Sequence, residues 1–105
     1  MGRETPPQLK EFLRRAARHV RLERAILFGS RARGEAREGS DYDLILVSED
    51  FGGRAFYSRP APLLLLWEHP EDLELLCYTP AEFEAKRRGL NIVATAVAEG
   101  FEVAA

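Results

Sequence analysis

The chain has 105 residues, of which 46% are hydrophobic and 30% are charged, and its formal net charge is −2. This length suits one domain over residues 1–105 and leaves no room for a separate lobe that holds a second substrate. The small net charge gives no argument for nucleic-acid or membrane binding, and the single cysteine and the polar N-terminal segment lead us to expect a cytoplasmic protein without a disulfide or signal peptide.

The first predicted element is an amphipathic helix that begins with Thr5 as its cap and ends near Leu22. Its apolar face has helical spacing and consists of Leu9, Phe12, Leu13, Ala16 and Val20. The apolar run at residues 25–28 then predicts a short buried strand, which Gly29 ends.

The middle of the chain alternates between short elements and loops. A short helix is predicted at residues 30–35, and a loop follows at residues 37–40. The apolar run at residues 43–47 predicts a second buried strand. Residues 49–59 contain glycine and read as an irregular exposed loop, and residues 60–68 predict a helix.

The last third begins with a third predicted strand at residues 73–78. Thr79 and Glu82 match a capping box, which predicts a helix from residue 80 to about residue 88. A last helix and a short edge strand are predicted at residues 92–99 and 101–103. This order of helices and strands predicts an α/β fold in which helices flank a small mixed sheet of three to four strands.

The Gly29-Ser30 pair lies where the first strand passes into the short helix. Glycine lets the backbone approach a ligand closely, and the start of a helix offers free N–H groups to a phosphate. The Ser30 hydroxyl can donate a further hydrogen bond. The alternative interpretation is a plain strand-to-helix turn with a serine cap.

Asp41 and Asp43 lie two residues apart at the start of the second strand. Because strand side chains alternate between faces, both carboxylates are expected to project from one face. Like charges this close need a cation between them, and Mg²⁺ takes carboxylate and phosphate oxygens together. The alternative is a solvated strand end with two acids of no special function.

A third carboxylate would complete a two-metal site, and the third strand offers Asp72 and Glu74. We favour Glu74, because a charged residue between Leu73 and Leu75 needs a reason if the strand is buried. Asp72 can instead be a loop residue. Glu74 also admits a second interpretation, as an outward-facing residue of an edge strand.

These residues resemble the nucleotidyltransferase superfamily typified by DNA polymerase β. The motif consists of Gly29-Ser30, a ten-residue spacer, Asp41-Tyr42-Asp43 and Glu74. The string RARG after Ser30 and the segment LLCYTPAEF resemble the minimal nucleotidyltransferases in particular. One departure is the third acid, which is usually aspartate in this family and is glutamate here. The longer side chain leaves the metal charge balance intact but changes the geometry available to a general base.

The resemblance implies transfer of a nucleotidyl group, AMP from ATP as the leading case, to a hydroxyl acceptor. It places catalysis and a two-metal Mg²⁺ site at Asp41, Asp43 and Glu74. It places nucleotide binding at Gly29, Ser30, Arg31, Arg33 and Ser40. The reaction it implies is in-line attack on the α-phosphate with loss of pyrophosphate.

The resemblance also implies a partner, because minimal nucleotidyltransferases commonly pair with a HEPN-family protein and act as the antitoxin of a toxin–antitoxin module. The alternative is a nucleotide-binding or catalytically weak antitoxin that acts by occluding its partner. A third function, nucleic-acid binding, would use a basic helical stripe formed by Lys10, Arg14, Arg18 and Arg21. The net charge argues against this third function, and self-association stays open.

The remaining residues of interest are assigned structural roles. Tyr42 and Cys77 are expected to be buried, and His19 and His69 are expected at the surface. Residues 63–67 form either core or a docking surface, with core somewhat ahead.

Overall fold

The computed structural model describes residues 4–37 and 39–105, so one residue of the predicted loop at 37–40 lies outside the described residues. The elements follow in the order α1 (Pro7–Ala16), β1 (Arg24–Phe28), α2 (Ser30–Arg33), β2 (Tyr42–Val47), α3 (Ala61–Leu64), β3 (Leu73–Tyr78), α4 (Pro80–Arg87), α5 (Ile92–Glu99) and β4 (Phe101–Glu102). Two 3₁₀ helices, Glu49–Phe51 and Phe56–Ser58, lie between β2 and α3. Within the described ranges, no helix has the length and apolarity needed to cross a membrane.

The four strands form one mixed sheet in the order β3-β2-β1-β4. β1 pairs with β2 and with β4 in the antiparallel sense, whereas β2 and β3 run parallel. The predicted fold class, a small mixed sheet flanked by helices, is therefore confirmed. β3 and β4 form the two edges of the sheet.

Both faces of the sheet are covered, because the strand residues alternate between two apolar clusters. On one face, Leu27, Leu44 and Leu75 pack against the apolar side of α1. On the other face, Ile26 and Ile45 pack against α4 and α5. The predicted apolar positions of α1 are all buried: Leu9, Phe12, Leu13, Ala16 and Val20.

The capping box predicted at the start of α4 is present. The Glu82 N–H donates to Thr79 Oγ1 over 3.2 Å, and the Thr79 N–H donates to Glu82 Oε1 over 2.9 Å. These two bonds satisfy N–H groups at the helix start that have no partner within the helix.

The bounds of α1 differ from the prediction at both ends. Pro6 occupies the cap position, and the Thr5 hydroxyl accepts a hydrogen bond from the Ala104 N–H instead. The helix ends at Ala16 rather than near Leu22, because the N–H groups of Arg18 and His19 bond three residues back and tighten the last turn. The apolar pattern continued past this point because Val20 is buried by the turn, not by a helix.

The prediction of an exposed loop at residues 49–59 is wrong in part. Phe51 is fully buried and Arg59 is only 5% exposed, so this segment is anchored at two points. The guanidinium of Arg59 donates to the carbonyl oxygens of Arg54 and Cys77 and to the carboxylate of Glu82. Long-range partners of this kind leave no local sequence signal.

The helix predicted at residues 60–68 is limited to α3. The N–H groups of Leu66 and Trp67 bond three residues back, which ends the helix. The turn directs Trp67 into the core, where its ring packs edge-on against Phe12 and Tyr42. Leu63 is buried, whereas Leu64 and Leu65 are 38% and 84% exposed, so the segment is divided between core and surface.

The predicted burial of Tyr42 and Cys77 is confirmed. Burial raises the pKa of the Cys77 thiol to about 12, so the thiol is not an activated nucleophile. His19 is exposed as expected. The prediction for His69 is wrong for one ring nitrogen, since Nε2 is inaccessible and lies 3.6 Å from Glu11 Oε1.

Candidate active site

The register of the sheet places three residues in one row across three strands. Phe28 is opposite Asp43, and Asp43 is opposite Glu74. Residues directly opposite each other share a face, and here it is the face that α4 and α5 cover farther along the strands. Glu74, not Asp72, is therefore the β3 neighbour of Asp43.

The carboxylates of Asp43 and Glu74 interact directly. Burial of its carboxyl, its hydrogen bond with Glu74 and the negative charges of Glu74 and Asp41 raise the pKa of Asp43 to about 6, while the positive charge of Arg33 opposes this rise. Glu74 itself is exposed on an edge strand, so the expectation of a buried charge between two leucines is not met. Its proximity to Asp43 comes from strand register.

Gly29 makes this arrangement possible. Its φ of 77° and ψ of −161° lie in a region that only glycine occupies readily. A β-carbon built on Gly29 would collide with Asp43 Oδ2, so only glycine lets the Asp43 carboxylate pack against this turn. Gly29, rather than Ser30, is the cap residue of α2, and its carbonyl accepts from the N–H groups of Ala32 and Arg33.

Arg31 is used to hold the backbone that precedes β2. Its Nε and Nη2 donate to the Ser40 carbonyl over 3.1 and 2.7 Å, and its guanidinium lies 4.1 Å from the centre of the Tyr42 ring. The Ser40 hydroxyl accepts from the Arg37 N–H. The side chains of Arg31 and Ser40 therefore both hydrogen-bond to backbone groups of this chain.

Arg33 is the basic residue of α2 that acts on the acid pair. Its guanidinium is 41% exposed and contacts Glu35 over 2.9 Å and Glu99 over 3.3 Å. It also counters the rise in the pKa of Asp43. An exposed guanidinium with two surface carboxylate partners can exchange them for phosphate at low cost.

Asp41 is set apart from the Asp43–Glu74 pair. It is exposed and lines a smaller cavity beside Asp72 and Glu71. Its charge nevertheless acts on Asp43, as the raised pKa shows. The predicted set of three carboxylates therefore consists of one contacting pair and one outlying member.

A cavity of about 600 Å³ opens over the acid pair and has mostly apolar walls. Besides Asp43 and Glu74, its lining includes Phe28, Tyr57, Leu64 and Ile92. Sequence reasoning missed these four residues as parts of the site. Phe28 could have been found from its position just before Gly29, whereas the others come from segments that only the tertiary fold brings together.

The acid pair suits a magnesium ion. Within residues 4–37 and 39–105, no group of three or more His, Cys, Asp or Glu side chains is arranged to hold a metal by itself. Mg²⁺ does not need such a cage, because it binds through one or two carboxylates and completes its shell with water and phosphate oxygens. Two contacting carboxylates, of which Asp43 has its pKa raised by burial and by Glu74, provide the negative charge that such an ion neutralises.

The sequence model of the nucleotidyltransferase domain matches residues 7–95, which include every residue of the row and of the glycine turn. The chain belongs to the nucleotidyltransferase domain family. Among solved structures, a candidate nucleotidyltransferase from Sulfolobus solfataricus shares the fold with a TM-score of 0.61, at 23% identity over 74% of this chain and 69% of that chain. A comparison with curated proteins finds no match.

The resemblance to the nucleotidyltransferases is thereby confirmed, and the chain is a nucleotidyltransferase enzyme. The match is consistent with the minimal nucleotidyltransferases of the DNA polymerase β-like superfamily. The substrate of the enzyme is a nucleotide, and enzymes of this family generally use a nucleoside triphosphate with a divalent metal.

Proposed function

We propose that this nucleotidyltransferase transfers AMP from ATP to a hydroxyl acceptor in a Mg²⁺-dependent reaction. The observation that carries the proposal is the contact of Asp43 with Glu74 directly beside the Gly29 turn. In such an arrangement the carboxylate pair can bind a metal ion, and the neighbouring backbone N–H groups can bind the triphosphate.

Asp43 and Glu74 would hold the metal, and Mg²⁺ when bound supplies positive charge to the triphosphate. The first N–H groups of α2, those of Ser30 and Arg31, have no acceptor within the helix and can donate to the β- and γ-phosphates. The Ser30 hydroxyl adds a donor at the same turn. Since Asp41 already acts on the pKa of Asp43, we retain it as the ligand that would join a second metal position.

The two arginines of α2 are assigned different roles. Arg33 would steady phosphate charge, because it is exposed and acts on Asp43. Arg31 would position the segment before β2 through its two bonds to the Ser40 carbonyl. Ser40 then contributes to nucleotide binding through this tethered backbone.

The acceptor and the biological setting form the second part of the proposal. The resemblance to the minimal nucleotidyltransferases supports an acceptor hydroxyl on another protein, of the HEPN family, with this chain as the antitoxin of the pair. A second candidate function is occlusion of that partner with weak or no catalysis. The exposed Leu65 and Tyr57, 84% and 93% accessible, favour a protein-contacting surface in either case.

The first test is calorimetric titration of the protein with ATP, with and without Mg²⁺, for the wild type and for Asp43→Asn. We expect metal-dependent binding in the wild type and a loss of at least about tenfold in affinity in the variant, which is about 1.4 kcal/mol. Glu49→Gln is the control, because Glu49 is exposed and does not line the cavity. If Asp43→Asn binds MgATP as tightly as the wild type, the assignment of the metal site to Asp43 is wrong. If no sample binds ATP, the result favours occlusion of the partner.

A further inference from the structure

Among the described residues, the outer edge of β3 has unpaired backbone groups beside the acid pair, at Leu73 and Leu75, whose side chains belong to the core. In a parallel pair, every second residue directs both backbone groups toward the neighbouring strand. The Tyr42 N–H donates to the Asp72 carbonyl and the Ser48 N–H to the Tyr78 carbonyl, so the even-numbered residues of β3 bond to β2. The N–H and C=O groups of Leu73 and Leu75 therefore point outward, and nothing in the described part of the chain pairs with them.

The unpaired stretch of β3, at Leu73 and Leu75, ends before Cys77. The next outward carbonyl, that of Cys77, accepts a hydrogen bond from Arg59 Nη1 over 3.1 Å. Arg59 is buried and is also held by Glu82, so the edge is closed from Cys77 onward. Only the part of β3 nearest Glu74 offers unpaired backbone groups.

The cavity over the acid pair follows this open edge. Its lining includes four consecutive residues of β3, Leu73 to Leu76. Because consecutive strand residues point to opposite faces, one cavity can touch all four only by running along the edge. Pro60, Leu64 and Tyr57 form its far wall, and Tyr57 is 93% exposed.

We propose that the acceptor hydroxyl is presented by an extended segment of a partner polypeptide that adds as a strand to the free edge of β3 at Leu73 and Leu75. The inference rests on the proposed transfer activity and names the way in which the partner presents its acceptor hydroxyl. Main-chain bonds to an exposed strand edge provide affinity in this mode of recognition, and alternate side chains provide specificity.

The added strand would extend the row of Phe28, Asp43 and Glu74 by one position. Neighbouring strands lie about 4.8 Å apart, so a side chain at that position projects beside Glu74. Its hydroxyl oxygen bonds to the α-phosphorus of ATP, the bond from that phosphorus to the bridging oxygen breaks, and pyrophosphate leaves. The hydroxyl proton passes to the Glu74 carboxylate.

The negative charge around the outer edge of β3 indicates which residues should flank the acceptor residue in the partner segment. The described residues that line the cavity include two carboxylates and no basic residue. Glu71 and Asp72 add negative charge just before β3. A segment with lysine or arginine on either side of the acceptor residue complements this surface.

The probe is an acetylated peptide, Lys-Val-Thr-Val-Tyr-Val-Thr-Val-Lys-amide, added to ¹⁵N-labelled wild-type protein without nucleotide. Two further versions carry backbone N-methyl groups on alternate residues, one version for each edge of the peptide strand. We expect the parent and one methylated version to shift the Leu73 and Leu75 amide signals and to slow their hydrogen exchange, and the other version to do neither. Failure of the parent to bind, or equal behaviour of the two methylated versions, would overturn the proposal.

Variants of the protein test the contact between the peptide and the backbone N–H of Leu73. Leu73→Pro removes an outward N–H without removing a bond to β2, and Leu73→Ala shortens the side chain but keeps that N–H. Leu73→Pro should weaken peptide binding at least about tenfold relative to Leu73→Ala. Equal binding by two folded variants contradicts the proposal, and the methylated peptides decide the matter on wild-type protein if a variant does not fold.

Two controls separate this inference from the proposed function. MgATP binding without the peptide edge contact would overturn only the edge inference, whereas edge pairing without MgATP binding or transfer would overturn the proposed function. Sedimentation of the free protein checks for a second copy on β3. A dimer that protects the Leu73 and Leu75 amides in the absence of peptide would overturn the proposal in favour of self-association.

Discussion

Asp43 and Glu74 lie side by side because two parallel strands place them in register. Like charges directly opposite each other in a sheet are unfavourable. The pKa of Asp43 is raised mainly by burial of its carboxyl, and further by its hydrogen bond with Glu74 and by the charges of Glu74 and Asp41. The free protein therefore carries an electrostatic cost at the position where a metal ion is expected.

The first prediction concerns Glu74→Gln. Removing one of the paired charges should stabilise the metal-free protein by about 0.5–1 kcal/mol, which is a rise of a few degrees in Tm for a domain of this size. The same substitution should lower nucleotidyl transfer by about 100-fold or more, since charge stabilisation by a metal site contributes several kcal/mol. Thermal unfolding in EDTA and transfer assays with Mg²⁺ measure the two effects.

Asp72→Asn serves as the comparison for Glu74→Gln, because Asp72 precedes the same strand but lines the other cavity. Asp72→Asn should have little effect on either the Tm of the metal-free protein or the rate of nucleotidyl transfer. If Asp72→Asn abolishes transfer and Glu74→Gln does not, the third carboxylate has been misassigned.

The second prediction concerns Gly29→Ala, with Gly53→Ala as its matched control. Both glycines have a φ of 77°, but only the Gly29 substitution brings a β-carbon against the Asp43 carboxylate. Each variant should lose about 1–2 kcal/mol of stability from backbone strain. Only Gly29→Ala should also lose MgATP affinity in calorimetric titration; a similar loss in Gly53→Ala would show that strain alone, not the collision, weakens binding.

At the scale of elements, the buried Arg59 joins three parts of the chain. Its guanidinium connects the segment after β2 to the end of β3 and to the first turn of α4. This contact with Arg59, together with the Thr79 backbone N–H, lowers the pKa of Glu82 to about 2. Arg59 therefore helps to anchor the segment that forms the far wall of the cavity.

The third prediction follows from the sign of that shift. A carboxyl whose pKa is lower in the folded state stabilises the fold above its ordinary pKa near 4.5 and loses this contribution as the pH falls toward 2. The Tm of the wild-type protein should therefore fall more between pH 5 and pH 2.5 than the Tm of Glu82→Gln. Thermal denaturation monitored by circular dichroism measures both. Glu84→Gln, on the exposed side of the same helix, should keep the wild-type slope. Parallel curves for wild type and Glu82→Gln would show that the Arg59 contact adds nothing to acid stability.

At the scale of the whole molecule, the site lies where the covering of the sheet by helices ends. α1 covers one face and α4 with α5 the other, and the row of Phe28, Asp43 and Glu74 is the last row on the second face. The core therefore supports the site without enclosing it. Ligand binding should be strongly coupled to the stability of the entire fold.

The fourth prediction is that MgATP, at a concentration of 100 times its Kd, stabilises the protein by about 2.7 kcal/mol. ATP with EDTA should give a much smaller effect, because the acid pair then repels the triphosphate. Differential scanning calorimetry measures both, and Asp43→Asn is the comparison in which the Mg²⁺ dependence should disappear. Equal stabilisation with and without Mg²⁺ in the wild type would argue against a metal-bridged nucleotide.

The amino-acid sequence alone determined the strands, α4, α5 and the spacing of the motif. Short apolar runs, a capping box and a glycine at a strand end are local signals, and each acts within a few residues. The three acids and the Gly29-Ser30 turn are therefore identifiable from the order of residues, as is the family they resemble.

Which of these residues come into contact depends on the tertiary fold. Register between β2 and β3 pairs Asp43 with Glu74, and register depends on packing of the whole sheet. Asp41 precedes β2 and lines another cavity. The burial of Arg59 likewise follows from contacts distant in sequence, with the Cys77 carbonyl and the Glu82 carboxylate. Local patterns cannot encode such contacts, because their partners lie tens of residues away.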